Sequence, residues 1–188
     1  MTSWTIPYQT HRYHQQQRFA GCGLYTLKNV IESLQNEIDL TIKNYAPTFW
    51  NKISGFMLPK TVIKVLKKHG LNTTRGRYII KGKDNKINFL KNLLHNGPVV
   101  LVIGHAYKGK KDFNLLKAVS VQHYVSLRGY DDQEGIFYVY DSGAPKRLIR
   151  KDLPVGNIAL KYKDLIKYWK FGGFMVKKYF YISINYNL

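Results

Sequence analysis

The chain has 188 residues, 45% of them hydrophobic and 14% aromatic, which is enough for one domain with a sizeable core and short for two. Its 30 Lys and Arg against 11 Asp and Glu give a formal net charge of +19, which favours nucleic acid, anionic membrane surfaces or acidic proteins as partners. No helix-turn-helix, RNA-recognition, zinc-finger or basic-zipper pattern accompanies the charge, so a dedicated nucleic-acid function is the less favoured interpretation. The single cysteine excludes an internal disulfide framework and a zinc site built on thiolates.

The first residues, 1–15, are predicted to form an extended arm. They contain no basic region followed by an apolar core, and no run in the chain approaches membrane-spanning length. We therefore expect a cytoplasmic protein, or one exported by a route that needs no N-terminal signal peptide. His11 and His14 are three residues apart but have no acidic or thiol neighbours. We expect no metal and no cofactor.

The only cysteine, Cys22, lies where a glycine-flanked turn meets a helical pattern. The apolar residues that recur at helical spacing are Leu24, Leu27, Val30, Ile31 and Leu34. Cys22 therefore falls in the first turn of a helix, where unpaired N–H groups and the helix dipole favour the thiolate. Six residues earlier, Gln16 could donate to an oxyanion together with the Cys22 N–H. The alternative is that Cys22 is a small buried hydrophobe.

Three further helical segments precede residue 98. Asp39-Leu40-Thr41 is a plausible start for a short helix that ends before Pro47, and Gly55 and Pro59 frame a loop. An amphipathic helix is predicted from Pro59 to His69, closed by Gly70, and another starts at Lys83-Asp84-Asn85 and stops at Gly97-Pro98.

Beyond Pro98 the pattern becomes typical of strands. The apolar run from Val99 to Ile103 predicts a strand buried on both faces, and a lysine-rich loop follows at residues 107–111. Residues 121–127 and 136–141 are predicted to form a hairpin around a turn at 131–135, followed by a helix at 162–169 and a strand at 179–184. Helices first and strands after indicate an α+β domain.

The hairpin brings a histidine and a carboxylate together. Residues directly opposite each other in an antiparallel pair have position numbers with a constant sum. A turn centred near residue 132 sets that sum at about 264. The numbers of His123 and Asp141 add to this value, so the two residues are predicted to lie opposite each other. A bond from His123 Nδ1–H to the carboxylate would support the imidazolium formed when His123 takes a proton from Cys22. The alternative is a satisfied core histidine, and His105 is the second candidate for the base.

Three motifs in order resemble the papain-like cysteine peptidases, most closely the bacteriocin-processing, double-glycine-leader branch and its stand-alone relatives. They are Gln16 to Leu27 with its Cys-Gly pair, His123 to Asp131 ending in Gly-Tyr-Asp, and Phe137 to Ser142 with Asp141. The resemblance implies Cys22 as nucleophile, His123 as general base and acid, Asp141 as orienting group and Gln16 as oxyanion donor. It also implies a single papain-like domain over 1–188, with a helical part at about 16–97 carrying the nucleophile, packed on an antiparallel sheet at 98–188 carrying the histidine and aspartate.

The chain departs from the family pattern in three places. Ser142-Gly143 follows the aspartate where the family more often has a proline, and the run of three glutamines leaves Gln15 or Gln17 as alternative donors. No transporter or ATPase segment is attached, so leader processing coupled to export is not carried over.

We expect a thiol hydrolase that cleaves a peptide or isopeptide bond through a thioester acyl-enzyme, acting on a peptide or protein whose acidity would suit the basic surface. Deamidation or acyl transfer on the same site is the nearest variant. The other alternative is a catalytically silent basic module that binds nucleic acid or an acidic protein.

Overall fold

The computed structural model describes residues 3–5, 21–35, 41–80, 82–104, 122–172 and 178–186. The α-helices are α1 (Cys22–Gln35), α2 (Phe49–Ser54), α3 (Pro59–Lys68), α4 (Lys83–Leu94) and α5 (Tyr162–Lys170). The strands are β1 (Ser3–Thr5), β2 (Asn72–Arg77), β3 (Val99–Gly104), β4 (Gln122–Asp131), β5 (Ile136–Tyr140), β6 (Ile158–Lys161) and β7 (Phe180–Asn185). Short 3-10 turns lie at Ile42–Tyr45 and Lys146–Leu148.

The described strands form one antiparallel sheet with the order β2-β7-β3-β4-β5-β6. The short β1 pairs with the far end of β4, where Ser3 lies opposite Asp131. β3 is central and every residue in it is buried, which confirms the predicted strand. Its unbroken apolar run reflects cover on both faces, because a strand with one face in water would alternate apolar and polar residues.

Helices cover both faces of this sheet. Val100 and Val102 belong to one core with the apolar residues of α1 and α3, whereas Val99, Leu101 and Ile103 belong to a second core with those of α4 and α5. In the second core the indole of Trp169 on α5 is fully buried and donates to the carbonyl of Phe180 at 2.7 Å, which ties this helix to the start of β7. The helix α1, which carries Cys22, therefore lies across the sheet from α4 and α5.

Most predicted elements are confirmed to within a few residues. α1, α3, α4 and α5 lie where the helical spacing placed them, and β4, β5 and β7 where the strand pattern did. The predicted short helix before Pro47 is a 3-10 turn at Ile42–Tyr45, and its predicted start at Asp39-Leu40 lies outside the described residues. The loop from Gly55 to Pro59 is present, but the sequence pattern missed α2 directly before it.

Two strands at the ends of the sheet were also missed. β2 has the sequence Asn-Thr-Thr-Arg-Gly-Arg and no buried residue, and β6 is only four residues long. An edge strand pairs on one side only, so neither a long run nor a strong apolar alternation is needed to hold it. The N-terminal half thus contributes β1 and β2 to the sheet as well as helices.

None of the helices in the described ranges is both long and apolar enough to cross a membrane.

Candidate active site

Cys22 is the first residue of α1 and is partly exposed. The helix opens with the N–H of Tyr25 donating to the carbonyl of Gly21 at 3.0 Å. The N–H groups of the first turn, including that of Cys22, therefore have no partner within the helix and point towards whatever lies beyond its N-terminus. Next to the thiol, a Cβ on Gly23 would come within 2.9 Å of the Met57 Cβ, so glycine allows this close approach.

His123 is the second residue of β4 and its ring is buried. Its partner across the sheet is Ile103 on β3, not Asp141. The predicted pairing of His123 with Asp141 is wrong because the hairpin register differs: Asp131 pairs with Ile136, and a bulge shifts the register between Leu127 and Gly129. Position numbers of paired residues therefore add to 266 or 267, and Asp141 lies just beyond the end of β5.

The two side chains nevertheless meet, because diagonal neighbours in a sheet are still within reach of a long side chain. Nε2 of His123 lies 2.5 Å from Oδ1 of Asp141, and both groups are buried. The predicted use of Nδ1 for this bond is wrong: the ring turns the other nitrogen towards the carboxylate. The ring also interacts with the Cys22 thiol, and this interaction shifts the pKa of both groups.

The electrostatics of the pair favour charge separation. Burial is the largest influence on the Cys22 thiol and opposes its ionisation, but the His123 hydrogen bond and charge, with a backbone hydrogen bond from Tyr124, bring its pKa below the ordinary value. Burial also acts to lower the pKa of His123, but Asp141 and Cys22 together raise it to about 10. Both shifts favour a thiolate beside an imidazolium over a neutral thiol beside a neutral ring.

Asp141 is held by two neighbours outside its own strand. The N–H of Gly143 donates to Oδ1 at 2.7 Å, and a Cβ on Gly143 would lie 3.0 Å from Cε1 of His123. The buried amide of Asn157 brackets the Asp141 backbone: Oδ1 accepts from its N–H at 2.8 Å and Nδ2 donates to its carbonyl at 2.7 Å. The orientation of the Asp141 carboxylate is therefore fixed by the Gly143 N–H and by the Asn157 amide, which holds the Asp141 backbone.

Sequence reasoning missed both of these supports. Ser142-Gly143 follows the aspartate where the resembled family more often has a proline, and that departure was the available signal, because a glycine at position 143 tolerates contact with the ring. Asn157 carried no readable signal, since its partner is sixteen positions away and belongs to a loop.

Several sequence-predicted residues lie outside the described ranges. They are Gln16 with its alternatives Gln15 and Gln17, the second candidate base His105, and the pair His11 and His14.

The chain is similar to a known family and to solved structures. The model of the Peptidase_C39 like family matches residues 6–169. A double glycine motif protease from an AMS/PCAT transporter, solved in complex with the leader peptide, is 12% identical, with 100% of this chain and 99% of that chain covered and a TM-score of 0.55. The peptidase domain of Streptococcus ComA, a bi-functional ABC transporter of a quorum sensing pathway, is 15% identical, with 95% and 100% covered and a TM-score of 0.55.

No curated protein matches the chain. The structural likenesses confirm the predicted α+β, papain-like fold.

Proposed function

We propose that this chain, which belongs to the Peptidase_C39 like family and is a cysteine peptidase, cleaves an amide bond of a peptide or protein with Cys22, His123 and Asp141 as its catalytic triad. The reaction would pass through a thioester on Cys22. We propose further that residues 1–188 act as a single papain-like domain.

One observation carries the proposal: the His123 ring interacts with both Asp141 and Cys22. Nε2 of the ring makes a hydrogen bond with Asp141, and the ring lowers the pKa of the thiol at the N-terminus of α1. The pKa of Cys22 is lowered and that of His123 raised, as a nucleophile and a proton donor at neutral pH require. A structural cysteine buried among apolar side chains would have its pKa raised instead.

In the first half of the proposed reaction, the Cys22 thiolate attacks the carbonyl carbon of the scissile amide. A carbon–sulfur bond forms and the carbonyl electrons move onto the oxygen. The His123 imidazolium then gives its proton to the leaving nitrogen as the carbon–nitrogen bond breaks. The amine product leaves, and the acyl group remains on Cys22 as a thioester.

In the second half, His123 is neutral and takes a proton from a water molecule that attacks the thioester carbon. The tetrahedral intermediate collapses, the carbon–sulfur bond breaks, and the carboxylic acid product leaves and loses its proton to solvent, with Cys22 again a thiolate and His123 again an imidazolium. Both halves build negative charge on one oxygen. We propose that the Cys22 N–H and the Gln16 amide stabilise this charge.

A peptide is the substrate class best supported. The double glycine motif protease that shares this fold was solved with a leader peptide bound. Deamidation and acyl transfer would use the same thioester and differ in the leaving group or in the acceptor that replaces water.

The test compares the wild type with Cys22→Ala on a library of peptides, read by mass spectrometry. We expect new termini from the wild type and none from the variant. A mass gain of one unit without cleavage would show deamidation, and joined peptides would show acyl transfer. Equal fragment patterns from both proteins, or no product from either, would contradict the proposal.

A further inference from the structure

The helix α2 (Phe49–Ser54) has no buried residue, although half of its residues are large and apolar. Phe49 is 70% exposed, Trp50 75% and Ile53 52%. We name these three side chains the apolar tip; Phe49 and Trp50 are consecutive, and Ile53 lies about one turn further along the same short helix. Exposed apolar groups that cluster in this way mark a surface that contacts something else.

The tip keeps its shape through polar contacts of its own. The Thr48 side chain accepts from the N–H of Asn51 at 3.2 Å and caps the helix start. The amide of Asn51 donates to the carbonyl of Phe56 at 2.6 Å and so closes the helix end onto the following loop. The helix therefore needs no cover to hold its conformation, and its three apolar side chains are presented outward.

The surroundings of the tip are strongly basic. Residues 41–80 contain eight Lys and Arg and no Asp or Glu. All eight are exposed; they are Lys43, Lys52, Lys60, Lys64, Lys67, Lys68, Arg75 and Arg77. The acidic residues in the described ranges all lie outside this segment; they are Glu32, Asp84, Asp131, Asp132, Glu134, Asp141, Asp152 and Asp164. The stretch of chain that carries the tip thus combines exposed apolar groups with exposed positive charge and contains no acidic residue.

We propose that the apolar tip and its basic surroundings form a docking site for an anionic lipid bilayer. Tryptophan and phenylalanine favour the boundary between headgroups and acyl chains, and exposed lysines beside them are attracted to anionic headgroups. A convex element without buried residues suits insertion into a soft surface, whereas a protein groove would need a matching cavity on its partner.

Nucleic acid fits this surface less well. Aromatic rings can stack on bases, but the aliphatic Ile53 gains nothing from stacking. Two more exposed apolar residues follow the helix, Phe56 at 43% and Leu58 at 41%. Aliphatic groups among the aromatic ones gain free energy from an acyl phase, which accepts every apolar side chain alike.

The docking site is joined to the candidate active site through Met57. The Met57 carbonyl accepts from the Tyr124 hydroxyl at 3.0 Å, and its side chain touches Gly23, the neighbour of Cys22. Since Met57 lies between Phe56 and Leu58, a bilayer that holds the tip would also hold the nucleophile helix close to its surface. The proposal does not depend on the catalytic role of Cys22.

Co-sedimentation with vesicles tests the proposal on the full chain. We expect binding to vesicles of phosphatidylglycerol and phosphatidylcholine in equal parts, little binding to phosphatidylcholine alone, and weakening by salt. The triple variant Phe49→Ser, Trp50→Ser, Ile53→Ser should bind the mixed vesicles at least about tenfold more weakly. Circular dichroism would show that it is folded, since none of the three side chains is buried in the wild type.

A matched pair of charge variants separates local from global electrostatics. Lys52→Glu with Lys60→Glu changes the net charge as much as Lys163→Glu with Lys170→Glu, but the second pair lies on α5, which covers the other face of the sheet. We expect the first pair to weaken vesicle binding by about tenfold or more and the second by about twofold or less.

Depth of insertion gives an independent readout. In a Trp4→Phe background, Trp50 fluorescence should shift to shorter wavelength and be quenched by brominated lipid, because Trp169 is fully buried. Three outcomes would overturn the proposal: no binding of the wild type to the mixed vesicles, equal loss in both charge pairs, or wild-type binding by the triple variant. Tip-dependent binding of a single-stranded oligonucleotide in preference to vesicles would also overturn it, in favour of a nucleic-acid site.

Discussion

The reactivity of Cys22 towards iodoacetamide should depend much less on pH than that of an ordinary cysteine. The reagent reacts with the thiolate, so its rate follows the ionised fraction. The His123 hydrogen bond and charge, with the backbone hydrogen bond from Tyr124, lower the pKa of Cys22 although burial opposes them. The thiolate should therefore be abundant well below the pH at which a free thiol ionises.

The size of the rate increase between pH 6 and pH 8 distinguishes a thiol paired with His123 from an ordinary thiol. A thiol with the usual pKa of about 8.5 is about 0.3% ionised at pH 6 and about 24% at pH 8, so its alkylation rate rises about 75-fold over that interval. We expect the rate of Cys22 to rise less than about tenfold, in line with cysteines that are paired with a protonated histidine.

His123→Ala and His95→Ala form a matched pair for this assay. His123→Ala removes both the hydrogen bond and the charge that lower the Cys22 pKa, and it leaves the burial that raises it. Its alkylation rate should rise almost in proportion to hydroxide. His95 follows α4, on the other face of the sheet from α1, and its loss should leave the wild-type profile unchanged.

A 75-fold rise in the wild type, or a flat profile in His123→Ala, would refute the assignment of a thiolate–imidazolium pair.

The rate of peptide hydrolysis should have an upper pH limit that alkylation lacks. The pKa of His123 is raised to about 10, so the imidazolium is present below that pH and is lost above it. Peptide cleavage should therefore fall as the pH rises through 10, while alkylation of Cys22 does not.

Three further substitutions probe how the site is held. Asp141→Asn removes the charge that raises the His123 pKa, so the alkaline limit of hydrolysis should move down by about 1 to 3 pH units; an unchanged limit in the pH profile would contradict the role given to Asp141. Gly143→Ala puts a Cβ 3.0 Å from the His123 ring and should lower kcat/KM about tenfold or more in steady-state assays, whereas Ser142→Ala next to it, whose hydroxyl has no partner among the described residues, should stay close to the wild type. Asn157→Ala removes both bonds to the Asp141 backbone and should reduce the free energy of unfolding in urea by about 2 to 3 kcal/mol; a loss below about 0.5 kcal/mol would show that the amide does not support this loop.

The elements that the sequence predicted well are those that bury one face against a neighbour. α3 starts with Pro59 and ends at Lys68, and Gly70 just beyond it has a φ of 75°, the left-handed value that glycine adopts without strain. β2 and α2 were missed for the opposite reason. Their sequences have no apolar periodicity directed at a core, because β2 is held by backbone pairing with β7 and α2 by its cap.

The candidate site shows where pattern reasoning stops. The histidine and the aspartate were predicted as partners from a hairpin that has a different register, and the contact survives because it is diagonal. Which ring nitrogen faces the carboxylate depends on a rotation of the side chain, and on where Cys22 lies relative to the strand. Neither quantity is contained in the spacing of residues along one hairpin.

The position of Cys22 relative to His123 depends on a polar contact between α1 and β4. Thr26 donates to the carbonyl of Tyr124 at 3.2 Å, and the buried Arg128 donates to Ser33 at 2.7 Å and to Asn29.

These helix residues, 26, 29 and 33, follow helical spacing just as the apolar ones do, so the face of α1 that meets the strand is partly polar. Hydrogen bonds fix direction as well as distance, and a purely apolar contact would let the helix slide along the strand. The polar stripe therefore sets the register that brings the thiol at the helix start to the imidazole at the strand start, and it was present in the sequence as a second periodicity beside the apolar one.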